Sequence, residues 1–425
     1  MAEKSLFEKI LLKVMPGGGF ATSNLIGARR MLAMLFRVGW RYRRTFFYLL
    51  THKGLRAAYN FFYTKMFVPV GEGAGAGVYF LVSPLVRKYP RLFAPRPRYV
   101  EIETTTVCNR RCIICEHTYW KDQEERHVSF EEFKTLYNNF GKLRWLHLTG
   151  EGASFLNPDY PKMLRYAKER DLSVFLVDNF DALNENIMRD LIDMGIDGVY
   201  ISVDGATKET YEKIRVGCNF DRVVRNIKRF IELKKESRRP VPEISFRYVI
   251  TTLNVHEMPD FIDWVAGLAD AKTLGDGSRL DFVGNLEFKE VEHLSIKKIP
   301  QGILDACVEK ARRVKNVNVF FSHIEPAKNP PINNCIAWLE PYIMMGGYVL
   351  PCCSVLMSNK RTFLREHSFG NLYEKKFDEI WNSPRYKKFR DSVTNPCAKV
   401  PALCYGCRGY NTSERAEKYG VDEDL

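Results

Sequence analysis

The segment YVEIETTTVCNRRCIIC, residues 99–115, decides the fold expected of this chain. It begins with an alternating, strand-like run and ends with three cysteines, Cys108, Cys112 and Cys115. Structural zinc sites take four protein ligands, and iron–sulfur clusters usually take four thiolates. A group of three cysteines therefore indicates a metal site with one coordination position left open.

Strand-like and helix-like segments alternate from residue 99 to about residue 294. The strand-like segments are YVEIET, LRWLHLT, LSVFLV, GVYISVD, EISFRYVIT and LDFVGNLEF. The helix-like segments between them are SFEEFKTLYNNF, DYPKMLRYAKER, NENIMRDLIDMG, FDRVVRNIKRFIELKK and MPDFIDWVAGLA. Repeated βα units predict an α/β fold, a partial (β/α)6 TIM-like barrel with its chemistry at the carboxyl ends of the strands. The three cysteines follow the first strand, where such a site is expected.

Composition and cysteine content favour a folded intracellular metalloprotein. The chain has 425 residues, of which 45% are hydrophobic and 27% are charged, as in globular proteins of two or three domains. It contains 11 cysteines, and its N-terminus, MAEKSLFEKILLKVM, shows no apolar core of a signal peptide. We therefore expect a cytoplasmic protein that uses its cysteines for metal binding and not for disulfides.

The positive charge is concentrated in the first quarter of the chain. Residues 1–99 hold six Lys and eleven Arg against three Glu, a net charge of +14. Because the whole chain carries +13, the remainder is nearly neutral at −1. Such asymmetry indicates a surface-binding segment joined to a catalytic body.

The N-terminal segment also has many aromatic and apolar residues. Arginines interrupt every window long enough to span a bilayer, at Arg29, Arg30, Arg37, Arg41, Arg43 and Arg44. We expect basic amphipathic helices on an anionic membrane surface, with these side chains entering the acyl boundary: Trp40, Phe46, Phe47, Phe61 and Phe62. Two alternatives remain open, which are packing of these aromatics on the main domain and, less favoured, binding of nucleic acid.

CNRRCIIC resembles the CxxxCxxC motif of the radical S-adenosylmethionine (SAM) enzymes. The resemblance implies that Cys108, Cys112 and Cys115 hold a [4Fe–4S] cluster whose fourth iron is chelated by the amino and carboxylate groups of SAM. Reductive cleavage of SAM then yields a 5′-deoxyadenosyl radical that abstracts hydrogen from the substrate. It also implies an electron donor such as ferredoxin or flavodoxin. A zinc site, the alternative, needs a fourth ligand such as His117.

Further segments resemble the family in the same order along the chain. HLTGEGASFLNPDY resembles the family's second-strand motif, but Ala153 stands where Glu is usual and Glu151 comes two positions earlier. VDNF retains Asn179, and YISVDGATKETYEKIR matches the ribose-binding strand closely. The resemblance implies that Glu151 binds the methionyl amino group, Ser202 the ribose, and Arg215 the cofactor carboxylate. The full set of expected SAM contacts is Ile114, Gly150, Glu151, Asn179, Ser202, Asp204 and Arg215.

The later cysteines resemble those of the SPASM/twitch extension of radical SAM enzymes. The resemblance implies one auxiliary [4Fe–4S] cluster held by Cys335, Cys352, Cys404 and Cys407. Cys353 and Cys397 remain alternative ligands. Cys218 and Cys307 have no evident partners and are interpreted as ordinary buried thiols.

These features predict five regions. They are 1–98, a basic, aromatic, membrane-associating helical region; 99–300, the partial barrel; 301–330, a linker; 331–412, the auxiliary-cluster domain; and 413–425, a tail.

Three functions are carried forward from the sequence. The first is carbon–carbon bond formation between membrane-lipid alkyl chains, as in enzymes that couple archaeal lipid tails, in a protein bound to the membrane surface. The second is peptide or protein maturation, and the third is modification of nucleic acid. The sequence leaves the substrate and the oligomeric state open.

Overall fold

A computed structural model describes residues 36, 39–67, 96–284, 288–322, 332, 335, 337–407 and 409–425. Its centre is a nine-stranded sheet with the order β7-β6-β5-β4-β3-β2-β1-β8-β9. The strands are β1 (Tyr99–Glu103), β2 (Trp145–Thr149), β3 (Ser173–Asp178), β4 (Gly198–Ser202), β5 (Glu243–Val249), β6 (Arg279–Val283), β7 (Asn318–Ser322), β8 (Tyr342–Met344) and β9 (Tyr348–Leu350). Strands β1 to β7 are parallel to one another, as the βα alternation predicts.

Helices precede, separate and follow these strands. Before and within the barrel they are α1 (Arg43–His52), α2 (Leu55–Phe67), α3 (Phe130–Asn138), α4 (Tyr160–Lys168), α5 (Glu185–Met194), α6 (Lys208–Ile214), α7 (Phe220–Ser237), α8 (Met258–Ala266), α9 (Ala271–Leu274) and α10 (Gln301–Arg313). The auxiliary region adds α11 (Arg361–Glu366), α12 (Phe377–Trp381), α13 (Pro384–Thr394) and α14 (Ser413–Tyr419), with a small parallel pair of β10 (Val400–Pro401) and β11 (Val421–Asp422).

Each barrel strand has an apolar outer face and a more polar inner face. On β5, Ile244, Phe246 and Tyr248 belong to the main apolar core, whereas Ser245 and Arg247 alternate with them. Successive side chains of a strand point to opposite faces of the sheet. The helices pack on the apolar face, so the inner face bears the side chains that can meet a ligand.

The predicted linker is wrong in its first part. Residues 301–322 contain α10 and a seventh parallel strand, β7, which pairs with β6 from Arg279↔Asn318 to Val283↔Ser322. The sheet therefore has one more parallel strand than the six expected, because another βα unit extends it. Residues 323–330 of the predicted linker lie outside the described residues.

The auxiliary region continues the barrel sheet. Strand β8 pairs in parallel with β1, with Glu101 opposite Tyr342 and Ile102 opposite Ile343. Strand β9 then pairs with β8 in the antiparallel direction. The two predicted regions therefore share one sheet, and their relative position is set by backbone hydrogen bonds.

Helices α1 and α2 form a hairpin on the amino ends of the barrel strands. The Lys65 ammonium pairs with Glu243, the first residue of β5, at 2.7 Å. The Arg44 guanidinium pairs with Asp276, which precedes β6, at 3.0 Å. Asn60 donates to Asp171 O, just before β3, at 2.8 Å. The hairpin thus covers the end of the barrel opposite to the three-cysteine motif.

The aromatic side chains of the hairpin divide between packing and exposure. Phe61 is fully buried and meets Tyr42 edge-on, so the expectation that it enters a membrane is wrong. Phe46 and Phe62 are half-buried against each other, whereas Trp40 and Phe47 are about 60% exposed. Within the described ranges we find no helix both long and apolar enough to cross a bilayer. Arg29, Arg30 and Arg37 lie outside the described residues.

Candidate active site

The predicted cofactor residues lie at the carboxyl ends of neighbouring strands. Cys108 comes after β1, Glu151 after β2 and Asn179 after β3. Ser202 is the last residue of β4, and Asp204 comes two residues later. Because parallel strands end at the same edge of a sheet, these residues share one rim of the barrel, where the chemistry of such folds occurs.

The cysteine loop is held by backbone pairing with the segment that follows α6. Arg111 N donates to Val216 O at 3.0 Å, and Ile113 N donates to Ile214 O at 2.9 Å. These two bonds fix the backbone on both sides of Cys112. The loop is therefore shaped by the protein itself.

A fourth cysteine lies beside the loop. The thiols of Cys218 and Cys112 are hydrogen-bonded, which lowers the pKa of Cys112 and raises the pKa of Cys218. The interpretation of Cys218 as a thiol without a partner is therefore wrong. Burial, with the nearby Glu116 and Glu151 carboxylates, raises the pKa of Cys115 well above its usual range.

The three thiols are not gathered as closely as one zinc ion requires. In the part of the chain that the structure describes, one group of three Cys, His, Asp or Glu ligand atoms lies within 4.8 Å, that of Cys115, Glu116 and Glu151. Zn–S bonds of about 2.3 Å hold thiolates about 3.8 Å apart, closer than Cys108, Cys112 and Cys115 all approach one another. His117, the fourth ligand of the zinc alternative, turns its Nε2 to Thr106 O at 2.7 Å.

Two glycines bring the loop after β2 against the strand that leads to the cysteines. A Cβ on Gly150 would lie 2.5 Å from Thr105 O, and a Cβ on Gly152 would lie 2.5 Å from Val107 O. Both distances are too short for any larger residue. Glu151, between the two glycines, therefore sits next to the cysteine loop.

This placement bears on the shifted register of the second-strand motif. Ala153, at the position where Glu is usual, donates its N–H to Val107 O at 2.9 Å. Glu151 instead places a carboxylate within 4.8 Å of Cys115 Sγ and of the Glu116 carboxylate. Burial and the hydrogen-bonded Glu116 raise the pKa of Glu151 well above its ordinary value. Such a site favours a cation, because a nearby positive charge lets both carboxylates ionise.

Two other predicted SAM contacts, Asp204 and Asn179, use their side chains in hydrogen bonds within the protein. Asp204 is fully buried and accepts hydrogen bonds from Val249 N at 2.7 Å and from Arg215 Nε at 2.6 Å. Asn179 Oδ1 accepts from Asp181 N at 2.9 Å. Asp204 therefore orients Arg215, and Asn179 stabilises the turn that follows β3.

Ile114 lies in a separate apolar cluster at the rim. It is buried with Ile214, Val291 and Leu294. A planar ring can pack on an apolar surface of this kind.

Asp178, at the end of β3, is an acid that the sequence interpretation did not single out. Burial and the nearby Asp181 carboxylate raise the pKa of Asp178 to about 7, against the opposing effects of Phe180 N–H and Arg215. Its Oδ1 accepts from Phe180 N at 2.6 Å. Below about pH 7 the folded state therefore holds Asp178 as the neutral acid.

We expect Asp178→Asn to stabilise the protein at pH 8. The ordinary pKa of an Asp is 3.8, so the unfolded chain loses this proton first, and stability falls as pH rises from about 4 to 7. The asparagine variant lacks this penalty and gains roughly 4 kcal/mol at pH 8 but little at pH 4. Denaturant unfolding at both pH values measures it. Exposed Asp190→Asn is the control, and equal gains at both pH values would contradict the assignment.

The four expected auxiliary ligands lie together. Burial raises the pKa of Cys352 well above its usual range, and the Cys335 and Cys407 thiols add to the shift. Burial likewise raises the pKa of Cys404, beside the same three thiols. These four cysteines can hold one iron–sulfur cluster.

The two alternative cysteines lie elsewhere. The Cys353 thiol hydrogen-bonds the Glu101 carboxylate on the inner face of β1. Cys397 is exposed, 3.6 Å from the Tyr419 hydroxyl.

We expect Cys404→Ala to remove one cluster from the anaerobically reconstituted protein, lowering its iron content from about eight to about four atoms. Release of 5′-deoxyadenosine should persist, because the first cluster needs none of these four cysteines. Iron analysis with electron paramagnetic resonance measures the change. Cys397→Ala is the matched control, and loss of iron from that variant would show that Cys397 is a ligand.

A buried ion pair joins the barrel to the auxiliary region. The Arg361 guanidinium of α11 pairs with Glu103 at the end of β1, and both side chains are inaccessible to solvent. Glu103 also accepts from Met345 N at 2.6 Å. The Arg361 cation lies 4.4 Å from the centre of the Trp120 ring, in the segment after the cysteine loop. The pair therefore links the strand that leads to the three-cysteine loop with the helix that follows Cys352 and Cys353.

Family comparisons agree with this geometry. Residues 102–265 match the family model of the Radical SAM superfamily. Residues 335–408 match SPASM, an iron-sulfur cluster-binding domain. The chain is a radical SAM enzyme. Its predicted α/β fold with a TIM-like partial barrel and a C-terminal SPASM domain is confirmed.

Several characterised proteins resemble this radical SAM enzyme. The tungsten-containing aldehyde ferredoxin oxidoreductase cofactor-modifying protein of Pyrococcus furiosus is 25% identical over 70% of this chain and 84% of its own. The AdoMet-dependent heme synthase of Methanosarcina barkeri is 21% identical over 73% of this chain and 91% of its own. The crystal structure of Streptococcus suis SuiB bound to precursor peptide SuiA superposes with a TM-score of 0.54 at 14% identity, covering 80% and 74% of the two chains.

The family also establishes the cofactors. The radical SAM domain uses SAM and a [4Fe–4S] cluster, and the SPASM domain binds auxiliary iron–sulfur. The donor sets described above fit both groups, because each offers converging thiols in a partly or fully buried position.

Proposed function

We propose that this radical SAM enzyme modifies a polar substrate, most specifically a peptide or protein, inside the carboxyl end of its barrel. When bound, the cluster and SAM supply a 5′-deoxyadenosyl radical for hydrogen abstraction. Cys108, Cys112 and Cys115 hold that cluster, and Cys335, Cys352, Cys404 and Cys407 hold one auxiliary cluster.

The observation that carries the proposal is the charged inner face of the barrel. Its ionisable residues, which alternate with apolar core residues on the outer face, are Glu101, Glu103, His147, Glu243, Arg247, Arg279 and Asp281. An alkyl chain lying against this face would offer its polar groups no hydrogen bonds, which is unfavourable for buried polar groups. Peptide amides and polar side chains offer such bonds.

The rim residues of this chain bind and orient the reactants. Glu151, next to Glu116, takes the methionyl ammonium of SAM, and Arg215 takes its carboxylate. Ser202 hydrogen-bonds the ribose, and Ile114 packs on the adenine. Asp204 acts through Arg215, which it holds by a hydrogen bond of 2.6 Å. These assignments rest on position at the rim together with the family resemblance.

The SuiB relative, whose structure holds a precursor peptide, shares this architecture. At 14% identity the likeness extends to the fold alone. The proposal of a peptide substrate for this chain therefore rests on the charged inner face of the barrel.

A membrane-lipid alkyl chain is the second candidate substrate, and one observation favours it. The hairpin exposes Phe36, Trp40, Phe47 and Leu55, each by 60% or more. Exposed basic residues accompany them at Arg41, Lys53 and Arg56. Exposed apolar and basic side chains on one hairpin suit an anionic membrane surface.

The position of the hairpin argues against a lipid substrate that reaches the cysteines from the hairpin. It covers the amino ends of strands that are five to seven residues long, whereas the cysteines lie at the carboxyl ends. At about 3.3 Å per residue, roughly 15 Å of charged barrel separates the two ends. A lipid on the hairpin therefore has no direct path to the cysteines through the barrel.

We expect Trp40→Ala with Phe47→Ala to weaken binding to phosphatidylglycerol vesicles about tenfold or more, because each buried aromatic contributes roughly 1.5–3 kcal/mol. Vesicle co-sedimentation measures the change. Tyr405→Ala removes a similarly exposed aromatic from the SPASM domain and serves as the control. If the double variant and the control bind alike, the hairpin is not a membrane contact.

The substrate class can be tested by tracing the abstracted hydrogen. Cells of the source organism are grown in deuterated medium and separated into a lipid extract and an aqueous peptide fraction. Each is incubated with the reduced holoenzyme and unlabelled SAM, and deuterium in 5′-deoxyadenosine is measured by mass spectrometry. We expect deuterium from the peptide fraction. Transfer from the lipid extract alone would overturn the proposal in favour of the second candidate.

A further inference from the structure

One arginine on the inner face of the barrel differs from the other cations there. Arg247 lies in the carboxyl half of β5, opposite Ser202 of β4 and Asp281 of β6. Its guanidinium carbon is 5.1 Å from the centre of the Tyr200 ring. Because Phe246 and Tyr248 occupy the outer face, Arg247 projects into the barrel.

The neighbouring cations each have a carboxylate. Lys65 is paired with Glu243 at 2.7 Å. The Arg279 guanidinium holds Asp281 through two nitrogens, at 3.0 and 2.8 Å. Asp281 is thus already engaged, although it lies directly across from Arg247 in the sheet.

Arg247 itself lacks such a partner. Among the described residues it makes no side-chain hydrogen bond and no ion pair, and its buried Nε has no acceptor. A buried donor without a partner is destabilising, because it has lost its hydrogen bonds to water. An acceptor bound beside Arg247 would supply the hydrogen bond that this donor lacks.

We propose that Arg247 binds an oxyanion of the substrate, a carboxylate or a phosphate, inside the barrel. The guanidinium presents a planar fork of donors that matches either anion in a bidentate arrangement. The inference rests on the proposed function and deepens it, since it assigns a negative charge to the polar substrate.

The position of Arg247 suits a substrate anchor. Adjacent strands lie about 4.8 Å apart, so Arg247 is one strand away from Ser202, which we assign to the ribose of SAM. An anion held at Arg247 lies beside the bound cofactor without occupying its site. The Tyr200 ring beneath the guanidinium fixes its plane.

Arginine-selective labelling tests the anchor without a known substrate. The reconstituted holoenzyme, saturated with SAM, is treated with phenylglyoxal in the presence of sodium phosphate, sodium acetate or sodium chloride at equal ionic strength. Modification of Arg247 is followed by peptide mass spectrometry. We expect phosphate or acetate to slow its modification about threefold or more relative to chloride, and the more protective anion identifies the group.

Arg170 is the internal control. It also lies over a tyrosine ring, 3.3 Å from the centre of Tyr166, but on the helical outside of the barrel. Its labelling should not depend on the anion. Equal labelling of Arg247 in all three salts would overturn the proposal, as would complete protection of Arg247 by SAM alone, which would make it a cofactor contact.

A variant separates binding from a structural role. Arg247→Gln should leave the thermal midpoint unchanged or raise it, because it removes an unpaired charge. It should lower deuterium transfer from the active fraction about tenfold, and Arg247→Lys should restore part of it. A lowered midpoint would indicate a structural arginine and overturn the proposal. If deuterium came from lipid while phosphate still protected Arg247, the peptide proposal would fail and the anion site would stand.

Discussion

Replacing Cys108, Cys112 and Cys115 together with alanine should abolish reductive cleavage of SAM. These residues are the proposed thiolate ligands of the first cluster, so the variant should retain only the auxiliary iron, about four atoms in place of about eight. Iron content and 5′-deoxyadenosine release, measured anaerobically with a chemical reductant, report the two effects.

Two single variants sharpen that experiment. Cys218→Ala removes the thiol that touches Cys112 but should keep all the iron, because Cys218 lies outside the three-cysteine motif. Cys307→Ala removes a buried thiol in α10, away from both sites, and controls for general loss of packing. SAM cleavage by the triple variant would contradict the ligand assignment, and iron loss from Cys218→Ala would extend it.

The buried Glu103–Arg361 pair should give the largest loss of stability. Arg361→Met leaves the Glu103 carboxylate without its cation in a fully buried position, and removal of one partner from such a pair costs about 3–5 kcal/mol. Denaturant unfolding of the holoenzyme measures the loss.

A double variant tests the cause. Glu103→Gln combined with Arg361→Met removes both charges, so much of the loss should be recovered. Arg229→Met, in the exposed cluster with Glu185 and Glu232, should have a much smaller effect and is the matched control. An Arg361→Met loss as small as that of Arg229→Met would mean that solvent reaches the pair.

Local patterns were sufficient to predict the barrel. Alternating strands, amphipathic helices and a short cysteine motif are all encoded within a few residues of one another, so β1 to β6 and the rim position of Cys108 followed from the sequence. The seventh strand, NVFFS, is as long as β1 but was missed because it follows a polar turn. The next residues, 323–330, also lacked a helix-like pattern that would mark a βα unit.

Contacts between distant segments could not be predicted in the same way. Glu103 and Arg361 are 258 positions apart, and nothing near either residue signals the other. The contact of Cys218 with Cys112 likewise arises only when the segment after α6 folds along the cysteine loop. The sequence does place an acid, Glu116, directly after Cys115. Its part in the site could not be predicted, because it depends on the fold bringing Glu151 next to it.

The burial of Phe61 shows a further limit. The sequence of its helix is basic and aromatic, and it would be so whether the rings contact lipid or protein. Hydrophobic periodicity does not identify what covers an apolar face. The acidic residues that hold the hairpin, Glu243 and Asp276, come much later in the chain.

The parallel ladder between β1 and β8 determines how this enzyme can be cut or recombined. A barrel truncated before β8 would present the backbone of β1 as an open edge, and such an edge is a template for pairing with another chain. It would also uncover Glu103 beside that edge. Chimeras that exchange SPASM domains between relatives should therefore carry β8, β9 and α11 as one unit with a matching β1, since a junction chosen by domain boundaries alone would yield a protein prone to self-association.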